Sequence, residues 1–233
     1  MVVAEIDPEA LKAFFGDHYP KMAKFAELLT TDGITRGLIG PRETERIWSR
    51  HLVNCAGVCQ VLPHHGTILD LGSGAGLPGI VIAIMRPEQP VILLESLQRR
   101  VNWLEEMKQV LDLPNVTVIR GRAGEKFDLP PVATVTARAV AALNKLMIWS
   151  APILQKGGSL YAIKGESAGE EIAEVQKESK KFAKQWDIGH IKTWADAQAL
   201  ITLPGVEPTT VVKVPRLHVS RETRIGAGVP SHG

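Results

Sequence analysis

The chain of 233 residues lacks the features that mark several classes of protein. It has no apolar run long enough to cross a bilayer, and its first residues, MVVAEIDPEALKAFF, carry acids where a secretion signal needs a basic region. Aromatic residues make up only 5% of the chain and the net charge is only +2, so composition neither demands nor excludes a nucleic-acid partner. We therefore predict a cytoplasmic protein that makes no contact with a membrane.

Cysteine is equally scarce, because the chain has only Cys55 and Cys59. They stand four positions apart in a predicted helix, so they indicate no disulfide framework. His51 falls on the same face at the same spacing, but three soft ligands are one fewer than structural zinc takes. The prediction is a helix face that packs on a sheet, with no bound metal.

The hydrophobic pattern divides the chain into a helical part and an α/β part. Residues 1–62 are predicted to form a helical extension packed on a domain of residues 63–216, and the Gly-, Ser- and Arg-rich residues 217–233 a disordered tail. The predicted helices of the extension are Pro8 to Phe15, Tyr19 to Leu29, and one that opens after Gly40-Pro41.

From Pro63 onward, short apolar runs alternate with helical stretches, which is typical of βαβ units in a parallel sheet covered on both faces. The predicted strands are Ile68 to Leu71, Val91 to Glu95, Val116 to Arg120, Thr134 to Ala137 and Ser159 to Ile163. The predicted helices are Pro78 to Met85, Leu97 to Leu111, Leu143 to Leu154 and Ala168 to Gln185. The segments IGHIKTW and TTVVKVPR have no helix between them and are predicted to form an antiparallel pair.

The stretch Ile68 to Gly79, ILDLGSGAGLPG, contains two overlapping glycine patterns. Read from Gly72 it is G-x-G-x-G, and read from Gly74 it is G-x-G-x-x-G, the pattern of dinucleotide sites. Asp70 inside the preceding strand gives D-x-G-x-G-x-G, the form usual for S-adenosylmethionine sites. Pro78 removes a backbone N–H that a pyrophosphate at the helix start would use. The flanks therefore favour S-adenosylmethionine over a dinucleotide.

Polar residues also follow the second and third predicted strands. Glu95 ends the second strand and is placed to accept hydrogen bonds from a ribose diol, which both cofactors possess. The third strand leads into RGRAGEKF, where Ala123, Gly124 and Glu125 are candidates for contacting the edge of an adenine. A plain surface loop is the alternative there.

The fourth and fifth strands end in TARAV and YAIKGE. Arg138 is always charged and cannot remove a proton, so it favours an acceptor that needs no deprotonation, such as guanine N7, and we predict no general base. It is equally suited to bind a cofactor carboxylate or a structural acid. Lys164 is placed to meet an RNA phosphate or to lie solvated at the strand end, and Glu166 shares that edge. Arg138, Lys164 and His51 are our positioning candidates.

Arginines recur at intervals of four in the helix predicted after Gly40. Arg42, Arg46 and Arg50 would form one stripe on a regular α-helix, and such a stripe can follow a phosphate backbone. A solvated face is the alternative, because two glutamates stand close by. The candidates for RNA binding are therefore these three arginines and Lys164.

Taken together, these pieces resemble the bacterial small-subunit (16S) ribosomal RNA guanine-N7 methyltransferase family, also called the glucose-inhibited division protein B family. The resemblance runs from about Phe14 to Pro215. Its most specific pieces are IWSRHLVNCA, LDLGSGAGLPGI, LLESLQRRVNWLEEM, TARAVAALNKL and AIKGE.

The resemblance implies an α/β class I (Rossmann-like) methyltransferase fold, with a mostly parallel seven-stranded sheet, helices on both faces and an N-terminal helical extension. It also implies S-adenosylmethionine as cofactor and a guanine of small-subunit ribosomal RNA, in the 30S subunit, as substrate. Carried over to this chain, the family's cofactor contacts fall on Gly72, Leu77, Ala123, Gly124 and Arg138. The family usually has an acid at the position of Gly124, whereas here the acid follows at Glu125.

The leading hypothesis is thus an RNA methyltransferase, expected to be monomeric. The alternatives are an NAD-dependent oxidoreductase that uses the other glycine pattern and a non-catalytic RNA-binding module. The residues predicted to bind the cofactor are Gly72, Gly74, Gly76, Leu77, Glu95, Ala123, Gly124, Glu125 and Arg138.

Overall fold

A computed structural model describes residues 6–125, 128–186, 197–200, 203, 206 and 208–215. The predicted disordered tail of residues 217–233 lies outside these residues, and so does the predicted strand IGHIKTW. Within the described residues, no helix is both long and apolar enough to cross a membrane.

Among the described residues, seven strands form one sheet in the order β3-β2-β1-β4-β5-β7-β6, which confirms the predicted α/β fold. Strands β1 to β5 run parallel, and β7 pairs antiparallel with both β5 and β6. The antiparallel partner of β7 is therefore β6, a few residues beyond the predicted IGHIKTW. The strands are β1 (Thr67–Leu71), β2 (Val91–Glu95), β3 (Val116–Arg120), β4 (Val132–Arg138), β5 (Leu154–Lys164), β6 (Ala197–Leu200) and β7 (Thr209–Val214).

Helices lie between β1 and β2, β2 and β3, β4 and β5, and β5 and β6, as the alternating pattern predicted. The first helix begins at an Asp7 cap, whose carboxylate accepts a hydrogen bond from the Glu9 amide at 3.1 Å. The α-helices are α1 (Pro8–Phe15), α2 (Tyr19–Leu28), α3 (Asn54–Gly57), α4 (Gly79–Met85), α5 (Gln98–Val110), α6 (Leu143–Ser150) and α7 (Ala168–Trp186).

Two of the predicted helices differ from the structure. The helix predicted after Gly40 is a chain of short segments, a 3₁₀-helix at Pro41–Arg46, a π-helix at Ile47–Val53, then α3 and a 3₁₀ turn at Val58–Gln60. The helix predicted to reach Leu154 ends at Ser150, because Leu154 already pairs with Val132 as the first residue of β5.

Each face of the sheet carries its own apolar core. On one face, residues of the N-terminal helices such as Phe15, Phe25 and Leu52 pack with Ile80 of α4 and Trp103 of α5. On the other face, α6 and α7 cover the alternate side chains of β1, β2, β4 and β5. The N-terminal helices therefore share a continuous core with the sheet. The division of the chain at residue 62 into an extension and a domain stays a prediction.

Candidate functional site

The carboxyl ends of four parallel strands meet at one edge of the sheet. Gly72 follows β1, Glu95 ends β2, Arg138 ends β4 and Lys164 ends β5. Strand β1 lies between β2 and β4, so the chain order reverses beside it, and ligands of open α/β sheets bind in the crevice at such a point. We call this edge the ligand edge.

The glycine turn after β1 is held in place by backbone contacts. The amides of Gly72 and Ser73 donate to the carbonyl of Leu94 at 2.8 and 3.1 Å, and the Trp103 Nε1–H donates to the carbonyl of Ala75 at 3.0 Å. The Gly74 amide donates to Oε2 of Glu95, the last residue of β2, at 3.0 Å. These contacts fix the turn against β2 and Trp103.

Asp70 accepts a hydrogen bond from a backbone amide that a dinucleotide phosphate would use at the start of α4. Its Oδ2 accepts a hydrogen bond from the amide of Gly79, the first residue of α4, at 2.9 Å. A Cβ at Gly79 would overlap both the Leu93 side chain and this carboxylate, so only glycine fits there. Because the Gly79 amide already has a partner, it is not available to a pyrophosphate, which argues against the oxidoreductase alternative.

The same carboxyl group is fully buried and only half satisfied. Oδ1 of Asp70 and Oγ1 of Thr136, its register partner on β4, are buried oxygens for which the described residues provide no hydrogen-bond partner. Burial raises the pKa of Asp70 to about 7, against opposing hydrogen bonds from Ser73 and Gly79. A protonated Asp70 can donate where the ionised group cannot.

Replacement of Asp70 by Asn is expected to change how folding stability depends on pH. The pKa of Asp70 lies near 3.8 when unfolded and near 7 when folded, so the native state binds more protons between those values. Its contribution to stability is therefore complete below about pH 4 and falls as pH rises to about 7, by an amount on the order of 4 kcal/mol at most. Asp70→Asn removes this decline, as urea titrations of both proteins at pH 4.5 and 7.5 would show. If the free energy of unfolding of Asp70→Asn depended on pH as that of the wild type does, Asp70 would not be the group with the raised pKa.

Glu95 is held by the backbone around it. Its Oε1 accepts hydrogen bonds from the amides of Ser96 and Leu97 at 2.7 and 2.8 Å, and its Oε2 accepts from Gly74. Each carboxylate oxygen has two acceptor sites, so Oε2 retains capacity for a hydroxyl group. Glu95 therefore shapes the glycine turn in addition to its predicted contact with a ribose.

The loop after β3 also borders the ligand edge. Gly124 has a φ of +94°, and a Cβ there would contact the Trp149 ring of α6. Ala123 packs against the α6 side of the core. The Glu125 carboxylate accepts a hydrogen bond from the Arg122 amide at 2.9 Å and is exposed. The contact of these residues with an adenine stays a prediction.

Arg138 reaches from the end of β4 to the helical segments before β1. Its Nη1 donates to the Cys55 Sγ at 3.2 Å, and its Nη2 donates to the carbonyl of Arg50 at 3.1 Å and to Nδ1 of His51 at 3.0 Å. His51 in turn contacts Glu43 through Nε2 at 2.6 Å. Burial raises the pKa of the Cys55 thiol, which therefore packs as a neutral group.

Lys164 ends β5, the strand next to β4, and its side chain is engaged by the protein. Its Nζ donates to the carbonyl of Ala141 at 2.8 Å and to the Glu171 carboxylate at 2.7 Å, and its side chain is only 9% exposed. The same carboxylate accepts from the amide of Leu143 at the start of α6. Lys164 thus ties β5, α6 and α7 together, and an RNA contact would have to share its remaining N–H.

Two apolar residues at the ligand edge were missed by sequence reasoning. Leu97 and Val140 are large hydrophobic side chains that remain 46% and 36% exposed, and Val140 lies where a Cβ on Gly72 would point. Ala139 before it has a φ of +54°, a strained conformation for a residue other than glycine. The valine of TARAV was the available signal, but its position beside the glycine turn depends on this kink.

The three candidate arginines of the N-terminal part are all exposed. They do not form the predicted stripe of one α-helix, because Arg42 and Arg46 lie in a 3₁₀-helix with three residues per turn and Arg50 in a π-helix. Their assignment to RNA binding stays a prediction that no longer rests on regular spacing.

An α/β sheet with a glycine turn after β1, an acid at the end of β2 and a carboxylate that accepts from the first amide of α4 fits a class I methyltransferase. The model of the family described as "GidB: rRNA small subunit methyltransferase G" matches residues 18–196, so the chain belongs to that family. This confirms the resemblance seen in the sequence and sets aside the oxidoreductase and the non-catalytic alternatives.

Curated relatives named ribosomal RNA small subunit methyltransferase G agree with this family. The protein of Streptomyces coelicolor is 49% identical over 186 residues, which are 79% of this chain and 78% of the relative. The protein of Corynebacterium glutamicum (strain R) is 43% identical over 212 residues, which are 90% of this chain and 92% of the relative.

Solved structures show the same fold at low sequence identity. The cofactor-bound Rv0187 protein from MTB has a TM-score of 0.52 at 16% identity and covers 85% of this chain and 90% of its own. TYW2 of M. jannaschii in complex with AdoMet has a TM-score of 0.50 at 18% identity and covers 71% and 74%. These likenesses concern the fold alone.

Proposed function

We propose that this protein transfers a methyl group from S-adenosylmethionine to N7 of a guanine in small-subunit (16S) ribosomal RNA. The observation that carries the proposal is Arg138 at the end of β4, on the ligand edge beside the glycine turn. Family membership supports the substrate class, and the residue roles below are our own assignments.

The residues of the ligand edge fit the proposed cofactor. Beside the glycine turn, a Cβ on Gly74 would meet nothing closer than 3.8 Å, so this backbone borders open space. Glu95 has acceptor capacity left for a ribose, and exposed Leu97 and Val140 offer apolar surface on either side. When bound, S-adenosylmethionine supplies an electrophilic methyl group on a sulfonium.

The remaining predicted cofactor contacts divide by type. Gly72, Gly76 and Leu77 offer backbone around the turn, Ala123 and Gly124 offer backbone at the adenine side, and Arg138 offers a guanidinium to a carboxylate. Three of the five N–H donors of Arg138 are used by the contacts shown among the described residues, which leaves two for a ligand. These are Nε–H and one Nη1–H, and each can donate a charge-assisted hydrogen bond to a carboxylate oxygen.

Guanine N7 is the acceptor that this edge suits best. Its lone pair is free in the ring plane, so transfer needs alignment and exclusion of water but no removal of a proton. Arg138 cannot accept a proton, and Lys164 donates a hydrogen bond to the Glu171 carboxylate at 2.7 Å. An exocyclic amine would instead need a group at the ligand edge that accepts its proton.

The decisive experiment incubates 30S subunits that lack the modification with methyl-labelled S-adenosylmethionine, followed by digestion to nucleosides. We expect the label on N7-methylguanosine, and a parallel incubation with naked 16S RNA tells whether the assembled subunit is needed. Label on an amine, a ribose or a carbon atom would contradict the N7 assignment. Cytoplasmic location and a monomeric state are further parts of this proposal.

Arg50→Ala is expected to weaken RNA binding without slowing the chemical step. The Arg50 side chain is exposed, while only its carbonyl contacts Arg138, so the substitution keeps that contact. Loss of one phosphate contact reduces RNA affinity and lowers the slope of log K against log salt by about 1. Filter binding at several salt concentrations measures both, and Arg99→Ala, another exposed arginine outside the N-terminal part, is the matched control. A wild-type slope would exclude a phosphate contact by Arg50.

A further inference from the structure

A line of polar contacts runs from the 3₁₀-helix before β1 to the ligand edge. Glu43 Oε2 lies 2.6 Å from Nε2 of His51, and Nδ1 of the same imidazole lies 3.0 Å from Nη2 of Arg138. The side chains of Glu43 and His51 are 28% and 12% exposed, so water competes little at the imidazole. The guanidinium is thus held on one side by a ring that is itself held by a carboxylate.

The two contacts of His51 fix its tautomer. A guanidinium is always protonated and only donates, so Nδ1 of His51 must accept the hydrogen bond from Arg138. The ring proton must then lie on Nε2, where it is donated to Glu43. A doubly protonated imidazole would direct an N–H of Nδ1 at the Arg138 cation and break the contact.

The charges around His51 favour this neutral ring. Burial, followed by the nearby Arg138 cation, holds the pKa of His51 below its usual 6.5, and Glu43 opposes this effect only in part. Arg50, on the same helical turn, also lowers the pKa of His51. Above pH 6.5 the imidazole therefore remains an acceptor for Arg138.

We propose that Glu43 is a positioning residue for Arg138: it orients His51 with its proton on Nε2, and the free Nδ1 then fixes the guanidinium at the ligand edge. The inference rests on the proposed function of Arg138 toward the cofactor and substrate. Glu43 itself does not touch the reacting atoms. Its effect passes through two hydrogen bonds that the ring of His51 connects.

The test measures single-turnover methyl transfer at saturating RNA and cofactor for Glu43→Ala, Glu43→Gln and Arg138→Ala. We expect Glu43→Ala to lower the rate by about tenfold through misplacement of the guanidinium, and Glu43→Gln to restore most of it, because an amide oxygen still accepts the Nε2–H. Glu45→Ala, an exposed glutamate two positions away, is the matched control and should keep the wild-type rate.

A second readout separates positioning from a merely structural role. In the Arg138→Ala background, Glu43→Ala should cause no further loss of rate, although its effect on the melting temperature persists. In addition, ¹⁵N NMR of the cofactor-free protein should show the His51 proton on Nε2, and Glu43→Ala should lower the pKa of His51 further. Both measurements are independent of whether the loaded enzyme turns over.

The outcomes distinguish the inference from the function on which it rests. The positioning role of Glu43 would be overturned if Glu43→Ala lowered the rate by the same factor in the wild type and in Arg138→Ala. A ring proton on Nδ1 of His51 would overturn it too. A wild-type rate for Arg138→Ala would instead overturn the proposed role of Arg138, while the NMR result would still report the state of His51. Loss of cooperative melting in Glu43→Ala would shift the test to Glu43→Gln and His51→Asn, whose amide oxygen replaces Nδ1 as acceptor; His51→Asn should retain more rate than His51→Ala.

Discussion

Gly74→Val is expected to lower the affinity for S-adenosylmethionine by on the order of a hundredfold while the protein still folds cooperatively. Gly74 has a φ of +57°, which a β-branched residue adopts only with strain. A Cβ there would meet no protein atom closer than 3.8 Å, so the added side chain enters the open crevice rather than the core. Calorimetric titration with the cofactor measures the loss, and thermal unfolding measures the strain.

Gly37→Val is the matched control for this substitution. Gly37 has a similar φ of +64°, a Cβ there would have nothing within 4 Å, and it lies in an exposed turn before the 3₁₀-helix. Both variants should therefore lose about 1–2 kcal/mol of stability from backbone strain, but only Gly74→Val should lose cofactor binding. Equal, wild-type affinities in both would mean that the glycine turn does not contact the cofactor.

The neighbouring glycines make less decisive probes of the same turn. A Cβ on Gly76 would overlap Ile80 and approach Phe25 of the core, and one on Gly79 would overlap Leu93. Substitution at either position disturbs packing, so a loss of binding would not separate contact from misfolding. A Cβ on Gly72 would overlap the Val140 side chain at the ligand edge. A substitution there would therefore disturb packing more than one at Gly74 and less than one at Gly76 or Gly79.

The sheet was predictable from the sequence because its strands coincide with short apolar runs. Val91–Glu95 and Val116–Arg120 begin and end where the apolar runs begin and end, and helices between parallel strands leave few possible orders. The ligand edge follows directly, since the residues after β1, β2, β4 and β5 must meet there. The sequence alone could therefore place three residues at the same edge of the sheet, namely Gly72, Glu95 and Arg138.

The contacts of Arg138 could not be predicted in the same way. In one continuous α-helix, Glu43 and His51 would lie about 12 Å apart along the axis, too far for a hydrogen bond. The structure brings them to 2.6 Å because the chain departs from helical geometry at Arg46, with φ of −116° and ψ of 7°, between the 3₁₀-helix and the π-helix. That departure depends on tertiary packing, which cannot be predicted from the spacing of residues in the sequence.

The pairing of Lys164 with Glu171 was missed for a similar reason. Seven residues separate them, and the hydrogen bond depends on how α7 returns over the end of β5. Local pattern indicated only that a lysine follows a strand. The path of α7 decides whether the Lys164 cation pairs with a protein carboxylate or stays available for a phosphate.

Methyl transfer by the wild-type enzyme is expected to be independent of pH from about 6.5 to 9, the range in which a general base would reveal itself. Methylation of N7 places a positive charge on the base and releases no proton from it. Arg138 keeps its charge in this range, and the pKa of His51 lies below 6.5 because of burial and the Arg138 cation. Asp70, with a pKa of about 7, is fully buried and accepts a hydrogen bond from the Gly79 amide, so we expect it to take no proton from the base. Single-turnover rates at saturating RNA and cofactor measure this plateau.

Arg138→Ala should lower that plateau by about ten- to a hundredfold at every pH, since it removes positioning and leaves proton transfer untouched. Lys145→Ala, an exposed cation in the first turn of α6, is the matched control for loss of one positive charge and should keep both the rate and the plateau. Removal of the Arg138 cation also raises the pKa of His51 toward its usual value, which an NMR titration of the imidazole would measure. A wild-type rate that instead climbed tenfold per pH unit through neutrality would require loss of a proton from the substrate. The acceptor would then be an amine, a hydroxyl or a carbon atom, and the N7 assignment would be wrong even if S-adenosylmethionine were the cofactor.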